Sequence, residues 1–150
     1  MPLSVRSPVS GTVVPVADVP DPVFAEGMVG PGTAVEPVGR TALSPVDGTV
    51  VKLHPHACVV QVPDGPAVLV HLGVDTVRLA GEGFSVRVTE GATVRAGDPL
   101  VEWDPEAVRA AGLAAVCPVV VLEAAPESVH LVAAAGTVVA AGEPLLQVDG

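Results

Sequence analysis

Lys52–Thr76 reads KLHPHACVVQVPDGPAVLVHLGVDT, and the pairing of these residues decides the fold. Two apolar, β-branched runs flank Val62-Pro63-Asp64-Gly65. Proline, aspartate and glycine between valine-rich arms are a hairpin signal. Pro63 pre-sets φ for the turn, and Gly65 is the residue that tolerates positive φ. His56 lies on the first arm and His71 on the second, with their midpoint between Pro63 and Asp64. An even-length loop sets the two histidines directly opposite each other, with Cβ atoms about 5 Å apart. An odd-length loop turns them to opposite faces, because side chains alternate along a strand. The even loop is the expectation adopted. Two imidazoles facing each other on a β-surface imply a metal, or a transferable group held between two nitrogens.

Outward from the hairpin, the 150 residues suffice for one compact domain with a real core, taken as residues 1–150. The chain is 49% hydrophobic yet carries 16 Gly, 16 Pro and only 2% aromatic residues. Such punctuation suits short strands and tight turns around a thin core of Val, Ala and Leu. The formal charge of −10 argues against nucleic acid or an anionic membrane as partner and favours a protein with a basic face. A phosphoryl group approaching this chain is repelled at long range, so local donors must overcome the field. Cys58 and Cys117 sit in apolar runs and read as small buried hydrophobes. The start, Met-Pro-Leu-Ser-Val-Arg, has no charged or long apolar signal region, and nowhere do about 18 apolar residues run uninterrupted. A cytoplasmic chain without membrane insertion is expected.

Two internal echoes stand out. Ser7-Pro-Val-Ser-Gly11-Thr-Val-Val14 returns as Ser44-Pro-Val-Asp-Gly48-Thr-Val-Val51. Gly91-Ala-Thr-Val-Arg-Ala-Gly-Asp-Pro-Leu100 returns as Gly136-Thr-Val-Val-Ala-Ala-Gly-Glu-Pro-Leu145. An all-β architecture follows: an antiparallel β-sandwich or barrel built from duplicated strand–turn–strand units, with short helical turns. Strands are predicted at 7–16, 33–38, 44–53, on both hairpin arms, and at 84–88, 116–123, 128–133 and 144–148. Helical turns are predicted near Pro22–Gly27, capped by Asp21, and over Pro105–Gly112, capped by Asp104. Residues 17–32 carry Val23, Phe24, Met28 and Val29, an apolar set for a loop. They plug one end of the barrel or form an exposed docking patch.

Further features point to a family. His56-Ala57, the step of 15 residues to His71, Val70-His-Leu-Gly-Val-Asp-Thr-Val77 and Glu82-Gly-Phe84 lie in order. Around them run Gly11-Thr-Val, Asp18-Val-Pro-Asp21, Val23-Phe-Ala-Glu26, Val29-Gly-Pro-Gly32, Ala42-Leu-Ser-Pro-Val-Asp-Gly-Thr49 and Gly97-Asp-Pro-Leu100. Over about residues 5–149 the chain resembles the glucose-family IIA component of the bacterial phosphoenolpyruvate-dependent sugar phosphotransferase system. The resemblance implies a phosphotransferase relay with no bound cofactor. His71 would take a phosphoryl group from phospho-HPr and pass it to the IIB component of a IIB/IIC sugar permease. His56 would donate a hydrogen bond to that group. Asp21 and Asp75 would form an acidic rim that draws HPr, with Val23, Phe24, Met28 and Val29 as the apolar docking centre. Other protein targets, regulated by the phosphorylation state, are compatible with this reading.

The residues support those roles independently. A neutral imidazole is a nucleophile near pH 7 without help from a base. Phosphoryl transfer depends on positioning and charge stabilisation more than on covalent assistance. Two departures from the family pattern stand out. His54 occupies a position where relatives often carry a threonine that orients the first histidine. Few residues precede Ser7, so a longer N-terminal tail is not expected and a free-standing component is. Two rival readings differ in class. In one, His54, His56 and His71 form a three-nitrogen zinc site for a hydrolase, although the residues favour adventitious zinc at His56 and His71 over catalytic zinc. The other is a lipoyl-type carrier, which needs a lysine at a hairpin tip, whereas Lys52 is mid-strand. A purely regulatory binding module is a third possibility. His130 is assigned to the surface.

Overall fold

The computed structural model describes residues 2–149, so Met1 and Gly150 of the expected 1–150 domain lie outside the described residues. The strands in chain order are β1 (Leu3–Arg6), β2 (Gly11–Val14), β3 (Gly32–Pro37), β4 (Thr41–Leu43), β5 (Gly48–His54), β6 (Ala57–Gln61) and β7 (Ala67–His71). They continue with β8 (Phe84–Val86), β9 (Thr93–Val94), β10 (Pro99–Trp103), β11 (Cys117–Val121), β12 (Val129–Leu131), β13 (Val138–Val139) and β14 (Pro144–Val148). Short helices α1 (Pro22–Ala25) and α2 (Pro105–Ala110) start where an aspartate precedes a proline. The Asp21 carboxylate accepts from Val23 N–H and that of Asp104 from Glu106 N–H, each at 3.0 Å. No helix among the described residues is long and apolar enough to cross a membrane.

All the strand pairings are antiparallel. A large sheet runs β13-β2-β3-β11-β7-β6-β5-β9, and two small ones run β1-β14-β12 and β4-β10-β8. One apolar core joins all three. It takes Val13, Val35, Val50, Val60, Val70 and Val119 from the large sheet, and Val5, Leu146, Leu100 and Trp103 from the small ones. The sandwich is therefore stabilised by burial of many small β-branched side chains, at roughly 25 cal/mol per Å² of apolar surface. The opposite face of the large sheet is covered by residues 16–29. Phe24 and Val19 pack there on Ala34, Val74 and Val120. The apolar loop thus covers a sheet face rather than plugging a barrel end.

The sequence echoes are structural equivalents. Ser7 Oγ donates to Val9 O at 2.6 Å, and Ser44 Oγ to Val46 O at 2.7 Å. Arg95 N–H and Ala140 N–H donate to the carboxylates of Asp98 and Glu143. Ala96 N–H donates to Asp47 and Ala141 N–H to Ser10 Oγ. Each Ser-Pro unit pairs with a unit of the second echo, β2 with β13 and β5 with β9. Of the predicted strand at 7–16 only Gly11–Val14 is strand, because residues 7–10 form the turn that the serine hydroxyl closes and a 3-10 turn begins at Val16.

The repeated glycine has a steric cause. A Cβ on Gly11 would lie 2.0 Å from Glu36 O, and one on Gly48 would lie 2.2 Å from Gln61 O. Both clashes are with the backbone of a neighbouring strand, which cannot move without breaking its ladder. Gly11→Ala and Gly48→Ala are each expected to lower the unfolding free energy by at least about 1–3 kcal/mol in urea titrations. A surface control, Gly39→Ala, has open space at its Cβ and should change little.

Candidate active site

The β6–β7 register corrects the even-loop expectation. Ala57, not His56, lies opposite His71, and Gln61 lies opposite Ala67. The loop between is Val62–Pro66, closed by Val62 N–H to Pro66 O at 3.0 Å and Gly65 N–H to Val62 O at 3.1 Å. Positive φ falls on Asp64 (55°), not on Gly65. An odd loop should turn the two histidines to opposite faces. It does not, because His56 lies in the Pro55-His56 turn between β5 and β6 rather than on β6. Its carbonyl still accepts from Leu72 N–H at 2.7 Å, which extends the ladder. Its side chain, freed from the pleat, swings to the His71 face. The two ring centroids are 5.2 Å apart in an edge-to-face arrangement.

A second irregularity brings in His54. The β5–β6 register slips between Val50 and Lys52, leaving Val51 as a bulge. Beyond the bulge Lys52 faces Val59 and His54 faces Ala57, in the row that His71 completes. Were the strand regular through Val51, alternation from buried Val50 would send both polar side chains into the core. His54 stacks on His56 at 5.7 Å with an interplanar angle of 23°, and Phe24 meets His71 edge-on at 5.3 Å. Four rings thus form a file: His54, His56, His71, Phe24.

His71 is held at its far end. Nδ1 lies 2.5 Å from Gly73 O. A carbonyl only accepts, so Nδ1 carries the hydrogen and Nε2 of the neutral ring is a bare lone pair. Gly73 adopts φ +81°, and a Cβ there would meet Thr76 Cγ2 at 2.6 Å and Ala114 O at 2.9 Å. Thr76, fully buried, donates from Oγ1 to Leu72 O at 2.8 Å and pins the turn. Burial pushes the His71 pKa below the ordinary histidine value, while the Gly73 carbonyl, Asp21 and Asp75 pull it back less strongly. His56 is also lowered, by burial first and then by His71 and His54. Both rings therefore favour the neutral form at pH 7.

The other sequence-nominated residues divide. Val23 and Met28 are exposed, at 43% and 72%. Phe24 is only 6% exposed and meets His71 edge-on, and Val29 is half-buried against the apolar cluster to which Phe24 belongs. Asp21 caps α1, and Asp75 is exposed in a left-handed conformation with φ 60°. The three-nitrogen zinc site is not formed. His54 and His56 lie face to face, and among the described residues no three His, Cys, Asp or Glu side chains are grouped to hold a metal. Cys58 and Cys117 are free and buried, and burial pushes the Cys58 thiol up to about 12. His130 is exposed, with Nε2 at 2.9 Å from Asp149. The sequence reading missed Thr76 and Ala57. A threonine three residues after a strand-ending glycine, and an alanine beside a turn histidine, were the available signals.

Residues 3–126 match the family model for the phosphoenolpyruvate-dependent sugar phosphotransferase system, EIIA 1. A glucose-specific EIIBCA component of Corynebacterium glutamicum is 45% identical over 124 residues, covering 81% of this chain and 18% of that protein. The glucose-specific EIIA component of Bacillus cereus is 39% identical, covering 79% of this chain and 73% of its own. The glucose permease IIA from Mycoplasma capricolum superposes with a TM-score of 0.89 at 32% identity, over 98% of this chain and 96% of that one. The chain therefore spans less than a fifth of the Corynebacterium relative's length but nearly all of the solved neighbour.

Lowered imidazole pKa values have a consequence for stability. Between the depressed folded pKa and the ordinary value of about 6.5, the unfolded chain binds more protons than the folded one. Unfolding free energy is therefore fully present above about pH 6.5 and falls as pH drops below it. The double variant His56→Gln with His71→Gln is expected to flatten that fall in urea titrations between pH 7.5 and 5.5. A slope unchanged from the parent chain would show that burial of these rings does not drive it.

Proposed function

The chain belongs to the EIIA 1 family of the phosphoenolpyruvate-dependent sugar phosphotransferase system, and from that premise we propose that it is a phosphocarrier whose acceptor is Nε2 of His71. The observation that carries the proposal is the fixed tautomer. Nδ1–H is spent on Gly73 O, so the free lone pair is on Nε2, with the His56 ring 5.2 Å away centre to centre. Phospho-HPr is the donor and the IIB component of a IIB/IIC sugar permease the recipient. In uptake, the bond from phosphorus to the donor breaks as one to Nε2 forms, in line and through a loose transition state. In delivery, that bond breaks in turn and the ring regains its lone pair. His56 donates an N–H to a phosphoryl oxygen throughout. That local donor offsets the repulsion a chain of net charge −10 exerts on an anionic group.

Docking follows from the same surface. Asp21 and Asp75 lie close enough to influence His71 and present negative charge beside it. Exposed Val23 and Met28 supply apolar contact. A basic face on HPr complements this arrangement. The protein needs no resident cofactor for this chemistry, because the phosphoryl group is its cargo.

Incubation with phosphoenolpyruvate, enzyme I and HPr, followed by mass spectrometry at alkaline pH, should show one added phosphoryl group. His71→Ala abolishes the added mass. His56→Ala is still labelled but fails to pass the group onward. Labelling that survives His71→Ala would refute the assignment. Asp21→Asn with Asp75→Asn removes charge while keeping a good helix cap and a left-handed-tolerant residue. It should slow uptake several-fold at low salt and much less at high salt. An unchanged rate at low salt would reject the acidic rim.

A further inference from the structure

The turn that carries His56 fixes its backbone but not its ring. Leu72 N–H holds the His56 carbonyl, and Pro55 lies against Gly81, where an added Cβ would come within 3.3 Å of Pro55 Cγ. Among the described residues neither ring nitrogen of His56 has a hydrogen-bond partner, and the same is true of His54. The ring of His56 lies between two others, His71 edge-on at 5.2 Å and His54 face-on at 5.7 Å. The next residue, Ala57, is buried and lies between His54 and His71 in the strand register. His71 has its own task, so the remaining ring contact is His54, which the Val51 bulge turns outward to this face.

We propose that His54 is a positioning residue that orients the His56 ring by stacking. This rests on the role given to His56 above. Packing against the His54 face on one side and the His71 ring, edge-to-face, on the other limits rotation of this part-buried turn side chain about its two χ angles. His56 then presents one edge to the phosphoryl group on His71, and the hydrogen bond forms without a search for the right rotamer. Stacking is what sets this device apart. A hydroxyl at this position would orient the ring through a hydrogen bond to nitrogen, whereas a flat ring orients it through its face and leaves both nitrogens free. A flat apolar ring should therefore replace His54, and a small side chain should not.

The test compares His54→Ala and His54→Phe in the whole protein. The first readout is the His56 ring-proton NMR spectrum of the unphosphorylated protein. The stacked neighbour shifts these protons upfield. The shift is lost in His54→Ala and kept in His54→Phe. The second readout is the rate of phosphoryl transfer from His71 to IIB. It falls about three- to tenfold in His54→Ala, the range expected for loss of one ring pair, and is restored in His54→Phe. Uptake at His71 falls less than onward transfer. Ring shifts unchanged by His54→Ala would overturn the proposal, as would a slow His54→Phe protein that keeps the shifts. If the parent chain takes up no phosphoryl group at all, the phosphocarrier reading fails, and the ring shifts still decide whether the stack exists.

Discussion

A carbonyl oxygen accepts hydrogen bonds and never donates one. The reactive face depends on that asymmetry, because Gly73 O, 2.5 Å from His71 Nδ1, decides which nitrogen of the ring is free. Everything near it keeps this oxygen in place. Gly73 takes a left-handed φ that leaves no room for a side chain between Thr76 and the Ala114 carbonyl. Thr76 ties its hydroxyl back to Leu72 O, and Val74 N–H bonds Ala114 O at 2.9 Å. Lost rigidity in this turn would free the imidazole to flip or change tautomer, and the lone pair would no longer point in one direction.

The rest of the site comes from two breaks in β-regularity. The bulge at Val51 turns Lys52 and His54 outward, and the turn at Pro55-His56 releases a side chain that strict alternation would send toward Leu72 and the core. Each break costs ladder hydrogen bonds, which a well-packed neighbouring core offsets. Val50, Val60, Val68 and Val70 are fully buried directly beneath. The irregular chain therefore rests on a rigid floor, as precise placement of a transferred group requires.

Duplication explains where those breaks occur. Ser7–Val14 and Ser44–Val51 repeat the same serine turn, glycine contact and pairing with a unit of the second echo. In the first copy the strand ends at Val14, whereas in the second it runs on through the bulge to His54. The repeated parts build the sandwich, and the site lies where one copy exceeds the other. The segment 16–29 then covers the His71 face and brings Phe24 against the ring, while Val29 packs into the same apolar cluster as Phe24.

What the sequence determined by itself was local or repetitive. Asp-Pro pairs capped both helices, valine runs marked the strands, the two echoes announced a duplicated β-architecture, and the histidines with their flanking residues matched one family closely. Those signals survive because capping, turn chemistry and alternation act over a few neighbouring residues. Only the tertiary structure decided how His56 reaches His71. The two were expected to pair directly, yet the loop has odd length and Ala57 takes the opposing place. A register is set by the combined packing of all neighbouring strands, and a bulge or a released turn residue shifts side chains between faces without any mark in the local sequence. For the same reason Phe24 and Met28, four residues apart in one loop, could be told apart as buried and exposed only once the sheet beneath them was in place.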